Sequence, residues 1–433
     1  MAMSMAEQAR GLTREQRNAF VASFLGWSMD AFDYFLIIFV FTEISKDLHS
    51  SLIKVQFATT LTLAARPVGA AIFGLLADRF GRRVPLMVDV AFYSVIEFLT
   101  GFSSSITMLL FLRTLYGIGM GGEWGIGASL AMEKIPREKR GFWSGLLQQG
   151  YPFGYLLAAV AYFLIGKNFG WRWLFWAGSI PALLVLFIRA RVGESEVWER
   201  ARQRESTIGS ILRQPAVIKR FLFLLVLMTL FNFMSHGTQD QYPTFLKTQH
   251  HYSADLAVLV AVIYNLGALC GGITIGALSE SIGRRKAVVW VTLLALPVVP
   301  LFAFSSVLGL IVLGSFIMQF LVQGAWGIIP AHLSELSPDE IRGFYPGVTY
   351  QLGNLLAAIN LPLQTRLADH YNKNFGLGMA LVVAPVLLLT ALVTWLGPEN
   401  RGAELGRIAT PGREEVGARA GPRGPGPGVP AEG

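Results

Sequence analysis

The sequence predicts an all-α membrane protein: twelve transmembrane helices arranged as two pseudo-symmetric six-helix bundles. Three observations carry this. Charged residues are 15% of the 433-residue chain and hydrophobic residues 53%, whereas a soluble chain is about one quarter charged. Apolar stretches of about 20 residues, the length a helix needs to cross the hydrocarbon core, recur along the whole sequence. The second half then repeats motifs of the first at a constant offset of 202 positions. This composition excludes an ordinary soluble enzyme and a disordered chain. A single cysteine, Cys270, excludes a disulfide framework and a thiolate metal cage.

The spans are expected at 18–44, 55–77, 84–104, 106–132, 142–165, 172–191, 219–246, 254–279, 287–304, 307–333, 344–369 and 376–397. Residues 1–17 are polar, and the apolar run after them is too long for the core of a signal peptide, so 1–17 is expected to be a cytoplasmic N-terminus. Residues 18–191 form the first bundle and 219–397 the second. The linker between them, 192–218, carries Glu194, Glu196, Glu199, Arg200, Arg202 and Arg204. The tail, 398–433, ends in GPRGPGPGVPAEG, too polar and too rich in Pro and Gly to pack, and is expected to be disordered. Most of the 36 Lys and Arg fall in the N-terminus, the even-to-odd loops and the tail. The net charge of +8 therefore marks orientation rather than nucleic-acid binding, and places both termini in the cytoplasm of a plasma (inner) membrane protein.

The repeat is specific. Gly74-Leu75-Leu76-Ala77-Asp78-Arg79-Phe80-Gly81-Arg82-Arg83 after span 2 returns as Gly276-Ala277-Leu278-Ser279-Glu280-Ser281-Ile282-Gly283-Arg284-Arg285 after span 8. Trp124-Gly125-Ile126 returns as Trp326-Gly327-Ile328, and Glu133, Pro136 and Arg140-Gly141 as Glu335, Pro338 and Arg342-Gly343. Two similar bundles in one membrane can rock about a central site near the midplane, which is alternating access. Asp78 with Arg82 and Arg83, and Glu280 with Arg284, are expected to form charge-assisted bonds that break and re-form at a cytoplasmic gate. Plain topology anchoring would need the positive residues but neither the acid nor the repeat.

Ionisable groups inside spans are costly and mark function. Span 1 holds Asp30 and Asp33, span 2 Arg66, span 4 Arg113 and Glu123, and span 7 His236 and Asp240. At about 1.5 Å rise per residue, Arg66 and Asp30 lie at similar depth, with Glu123 slightly nearer the cytoplasm and Asp33 and Arg113 farther from it. The expected arrangement is an Arg66 anion site beside Asp30 or Glu123, under an Asp33–Arg113 pair. Such pairs either couple protons or hold helices together. In span 7, Asn232, Ser235, His236 and Gln239 share one face with Asp240 at its edge, a face too polar for lipid and so expected to line the cavity.

The GxLADRxGRR loop, its second copy and the Arg113-to-Gly117 pattern resemble the major facilitator superfamily over 18–397. The run Asn232-Phe233-Met234-Ser235-His236-Gly237-Thr238-Gln239-Asp240-Gln241-Tyr242-Pro243-Thr244 resembles the Asn-x-x-Ser/Thr-His-x-Ser/Thr-Gln-Asp-x-x-x-Thr pattern of Jen-type lactate permeases, in the sialate:proton symporter group. Trp27-Ser28-Met29-Asp30-Ala31-Phe32-Asp33-Tyr34-Phe35, Leu147-Gln148-Gln149-Gly150-Tyr151 and Tyr350-Gln351-Leu352-Gly353-Asn354 are similar to the same group. The resemblance implies proton-coupled symport of a short monocarboxylate of the lactate/pyruvate class. It implies substrate contacts from Arg66, His236, Asn232, Gln351, Gln149, Tyr34 and Phe153, and proton coupling by Asp30, Asp33, Arg113, Glu123 and Asp240. Asp240 comes out near the outer surface on the depth count. Either span 7 breaks near Gly237 or Asp240 belongs to an outer gate.

Gly117-x-Gly119-x-x-Gly122 reproduces a dinucleotide fingerprint but lies inside span 4 without a preceding strand, where small residues instead let helices pack closely. No nucleophile triad, Walker loop or metal-spaced cluster stands out. The expected partners are a small organic anion and the bilayer, without nucleic acid, cofactor or metal beyond the proton as coupling ion, in a carrier that works as a monomer. The alternative cargo is sialic acid or another larger organic anion. A non-transporting sensor would need a signalling domain that neither end of the chain provides.

Overall fold

A computed structural model describes residues 3–180, 182–202 and 208–405. Every described element is helical, and the twelve spans are present, several of them broken. Span 1 is Arg14–Phe39, started by a capping box at Thr13, and is followed by the short helix Phe41–Asp47. Span 2 is Leu52–Phe80 and span 8 Ala254–Ile282. Each is ended by a glycine of the repeat, Gly81 at φ 99° and Gly283 at φ 101°, a left-handed backbone that glycine adopts without strain. Span 4 is Ile106–Lys134, span 7 Pro215–Gln239 and span 12 Phe375–Leu396. Span 3 begins at Arg83 and runs to Thr100.

Eight of the helical stretches are long and apolar enough to cross a membrane by composition alone. Spans 3, 4, 5 and 11 are the others, and the reason is visible in each. Span 3 carries Asp89 and Glu97, span 4 carries Arg113 and Glu123, span 5 breaks at Gln149 and span 11 after Ala357. Large apolar side chains such as Ile53, Phe163, Leu183, Trp290 and Leu396 lie exposed along the outside, as expected of a lipid-facing surface.

Glycine sets the packing within each bundle. A Cβ at Gly121 would stand 2.0 Å from the Arg66 carbonyl oxygen, and one at Gly69 1.7 Å from that of Ile118. The repeat reproduces this contact between spans 8 and 10, where a Cβ at Gly271 would stand 1.9 Å from the Phe320 carbonyl oxygen. The glycines of span 4 are therefore helix-packing positions.

The bundles meet on the face that carries the termini. There the Asp78 carboxylate accepts from the backbone N–H of Gly343 (2.7 Å) and Phe344 (2.9 Å), at the start of span 11. In the mirror position Glu280 accepts from the N–H of Gly141 at 2.7 Å, at the start of span 5. Each acid also holds the arginine of its own motif. Arg82 donates to Asp78 at 2.5 Å and to Glu133 at 3.0 Å, while Arg284 donates to Glu280 at 2.7 Å and to Glu335 at 3.1 Å. Arg83 stands apart from this arrangement: its guanidinium donates to the Arg189 carbonyl and its backbone N–H to Glu194. Arg83 was expected at the gate, but its side chain points away from the seam and ties span 3 to span 6.

Between the two acids the seam is largely backbone. A Cβ at Gly125 would meet Gly347, one at Gly74 would meet Phe344, and one at Gly145 would meet Gly272. Ser144 donates to the Gly327 carbonyl and Ser129 to that of Arg342. Both chain ends add to this face. Gln8 bonds the Ala277 carbonyl of span 8 while accepting from the Trp143 indole of span 5. Residues 398–405, assigned from sequence to the disordered tail, are held in part by Asn400 on the Glu335 carbonyl and Glu404 on Arg137. Residues 406–433, and Arg204 of the linker, lie outside the described residues.

Losing Asp78 or Glu280 leaves buried N–H groups unpaired, at about 1–3 kcal/mol each. In a Cys270→Ser background, spin labels on Arg79→Cys and Ser281→Cys should therefore show a longer, broader distance distribution when Asp78→Ala and Glu280→Ala are added. An unchanged distribution would mean that these acids do not hold the seam.

Candidate functional site

Above the seam, Arg66 of span 2 sits between the bundles. Its guanidinium carbon lies 5.9 Å from the Tyr350 ring centroid of span 11. The carboxylate facing it is Asp30, and the hydroxyls of Tyr34 and Tyr151 lie within its field. The side chain is buried, yet Nε and Nη2 make no hydrogen bond among the described residues. A planar donor fork with two free N–H directions is the geometry that receives a carboxylate. Gln351, one residue after Tyr350, is also buried with both amide atoms unpartnered.

His236 faces Arg66 from span 7. Its Nδ1 lies 3.1 Å from Asp240 Oδ2, and its Nε2 lies 3.0 Å from Asn354 Oδ1 of span 11. Two donors at once require the imidazolium, whose charge Asp240 balances; a neutral ring needs the Asn354 amide turned over. Both side chains remain partly exposed, His236 38% and Asp240 34%. The helix runs through Gly237 to Gln239, breaks at Asp240–Gln241 and resumes at Tyr242, so the break expected near Gly237 falls at Asp240 itself.

The rest of the predicted span 7 face divides. Asn232 is buried and bonds the Met228 carbonyl of its own helix. Ser235 accepts from Gln323, and Gln239 donates to Gln319, both on span 10. Ser235 and Gln239 are thus tied to span 10 inside the C-terminal bundle, while His236 and Asp240 form the edge that faces Arg66 and its tyrosines. On span 5, Tyr151 faces Arg66, and its ring lies tilted against Trp27 with centroids 5.3 Å apart. Phe153 lies on the exposed apolar stripe with Leu156 and Val160 and packs on Phe24. This corrects its expected place at the substrate, since two residues along a helix turn the side chain about 200° away. Gln149 bonds the Gly145 carbonyl and lies against span 8 at Gly272.

The interior of the N-terminal bundle is more acidic than expected. Asp30, Asp33, Asp89, Glu97 and Glu123 are all fully buried. Arg113 donates to Glu97 of span 3 and lies over the Tyr116 ring at 4.2 Å. Asp33 faces Arg113 as expected, but the hydrogen bond goes to Glu97, and the Asp33 carboxyl, beside Gly178, has no hydrogen bond among the described residues. Asp89 and Glu97 were absent from the sequence reading, although both are ionisable groups within the apolar run 84–104. Asn354, Gln319 and Gln323 were equally unassigned, being uncharged and so without a signal of cost.

Comparison with known proteins agrees with this architecture. The profile of the Major Facilitator Superfamily matches residues 23–359 and 241–422. The sialic acid transporter NanX of Escherichia coli is 30% identical over 390 residues, covering 88% of this chain and 94% of its own length. A carboxylic acid transporter protein homolog of Saccharomyces cerevisiae is 27% identical over 430 residues, covering 91% of this chain and 70% of its own. Among solved structures, the proton:xylose symporter XylE bound to 6-bromo-6-deoxy-D-glucose superimposes with a TM-score of 0.74 over 90% of this chain and 98% of its own, at 18% identity, a likeness of fold. Twelve spans in two related bundles and a family profile over nearly the whole chain lead to one conclusion: the chain belongs to the major facilitator superfamily and is a multi-pass membrane transporter, not an enzyme.

Proposed function

We propose that the chain is a proton-coupled symporter of a short monocarboxylate of the lactate/pyruvate class, working by alternating access as a monomer in the plasma (inner) membrane with both termini in the cytoplasm. The observation that carries the reading is Arg66, a buried guanidinium between the bundles with two N–H directions unpartnered and one carboxylate, Asp30, facing it. The substrate carboxylate binds this fork in bidentate fashion. His236, with Gln351 beside Tyr350, bonds the hydroxyl or keto oxygen from the other bundle, so that substrate draws the halves together. Tyr34 and Tyr151 bound a small space around the Arg66 head group.

Charge balance supports the coupling. A bare charge within the hydrocarbon region costs several kcal/mol, so the forms that reorient are the neutral ones. In the unloaded carrier, ionised Asp30 balances Arg66. In the loaded carrier, the substrate anion balances Arg66 and Asp30 holds a proton. Anion alone or proton alone leaves one net charge and is disfavoured. Proton and anion thus raise each other's affinity by the same factor, as linkage requires.

A second reading keeps the carrier and changes the cargo to sialic acid or another larger organic anion. The 30% identity to NanX over 94% of its length favours it. Uptake into proteoliposomes of labelled lactate, pyruvate and sialic acid under an inward proton gradient separates the two. Lactate accumulation that rises as external pH is lowered, and stops when the gradient is collapsed, supports the first reading; accumulation of sialic acid alone supports the second. Arg66→Lys keeps the charge but not the fork, and should lower substrate affinity about tenfold or more, the value of one charge-assisted bond. Normal transport by that variant would rule out bidentate binding.

A further inference from the structure

We propose that Asp30, Glu123 and Asp89 form a proton relay inside the N-terminal bundle, starting at the substrate site and leading away from it, through which the co-transported proton leaves toward the cytoplasm. The inference rests on the symport reading above and names the route and its residues.

Away from the seam, Asp30, Asp33, Asp89, Glu97 and Glu123 are the buried carboxyls among the described residues of this bundle, against the buried guanidiniums of Arg66 and Arg113. Arg113 is committed to Glu97. Arg66 faces Asp30. Among the described residues, the charged groups facing Asp89 are the carboxyls of Glu123 of span 4 and Asp30 of span 1, and the one facing Glu123 is Asp30. All six carboxyl oxygens of the three acids are buried without a hydrogen bond to any described residue. Like charges so placed cannot all ionise in a low dielectric, so Glu123 and Asp89 are held as neutral acids that can each give one proton and accept another. Tyr93, one helical turn beyond Asp89, has an unpartnered buried hydroxyl among the same carboxyls, and the Tyr116 hydroxyl is tied to the Asp30 carbonyl at 2.9 Å.

Geometry joins the three. A Cβ at Gly26 would stand 2.2 Å from Glu123 Oε1, so the Glu123 carboxyl occupies a notch on span 1 that only glycine leaves open. That notch lies four residues, one helical turn, toward the cytoplasmic end from Asp30. The Gly26 notch sets Glu123 about 6 Å nearer the cytoplasmic end than Asp30. The Glu97–Arg113 bond, and a Gly119 whose Cβ would stand 2.8 Å from Tyr93 Cβ, fix the antiparallel register of spans 3 and 4 and bring Asp89 level with Glu123. From the substrate site the acids step one turn down to Glu123 and across to Asp89 on span 3. The Asp30 proton passes to Glu123 as the Glu123 proton passes to Asp89 and the Asp89 proton departs. Each of the lower acids ends neutral, and the carboxylate left at Asp30 pairs with Arg66 once the anion has gone.

The test compares two fluxes of the purified full-length carrier in proteoliposomes, with labelled lactate and, in parallel, labelled sialic acid. One is accumulation under an inward proton gradient; the other is exchange of internal for external substrate at equal pH, which needs no proton to leave. Asp89→Asn and Glu123→Gln should lower accumulation by about tenfold or more while exchange stays within about twofold, and Asp89→Glu should restore accumulation. Accumulation by Asp89→Asn equal to wild type overturns the relay and leaves symport standing. Joint loss of exchange and accumulation in both variants assigns the acids to folding or substrate binding and overturns it as well. A wild-type carrier that exchanges substrate but ignores the gradient overturns the symport reading itself, and the relay with it.

Discussion

The cost of an unbalanced charge inside the membrane governs the architecture. Arg66 and Arg113 are the guanidiniums buried at that depth, and their surroundings are arranged around them. Arg113 is paired: its Nη2 donates to Glu97, and the Tyr116 and Phe175 rings cover it at 4.2 and 5.3 Å, although its Nε has no hydrogen bond among the described residues. It therefore acts as a fixed internal strut between spans 3 and 4. Arg66 is left incomplete, with Tyr350 beyond it in the other bundle. The same residue type thus serves as mortar in one place and as receptor in the other. The difference is whether an acid is hydrogen-bonded to the guanidinium.

Duplication supplies the second organising feature. Asp78 and Glu280 each reach from the end of one bundle's motif to backbone at the start of a span in the other. Glu194 and Glu399 extend the symmetry, accepting from the N–H of Arg83 and Arg285 in turn. The termini-bearing face is therefore closed by two equivalent sets of bonds rather than by one. The substrate side is not symmetric: Arg66 comes from span 2 and the His236–Asp240 edge from span 7, so the halves have kept their closure and diverged in their chemistry.

The sequence makes legible whatever depends on one-dimensional spacing. The twelve spans follow from apolar runs, and the Asp78, Glu280, Arg82 and Arg284 contacts from a shared offset. Arg66 beside Asp30 follows from counting helical rise. What needs rotation about the helix axis is less accessible. Depth alone pairs Asp33 with Arg113, whereas Glu97 lies nearer because span 3 presents it to span 4. Depth likewise cannot tell Tyr151 from Phe153, which point to opposite sides. The polar face of span 7 reads as a cavity lining, but Gln319 and Gln323 of span 10 absorb half of it, and uncharged glutamines in an apolar run carry no warning. Asp89 was visible in principle, as a charge inside span 3.

The seam between the bundles has a mechanical consequence. At Gly74, Gly125, Gly141 and Gly145 the halves touch through main chain, while long side chains cross at the Arg342–Glu133 and Arg140–Glu335 ion pairs and at Trp124 against Tyr350. Interlocked side chains must change rotamer before two surfaces part, which adds internal friction to the motion. At the glycine contacts there is nothing of that kind to unhook. The barrier to separation is concentrated in a few hydrogen bonds that water can replace one at a time, while the glycine-on-carbonyl contacts inside each bundle leave no slack for internal deformation. Such a device moves as two stiff bodies over a smooth bearing, and its speed is set at the rim rather than through the bulk.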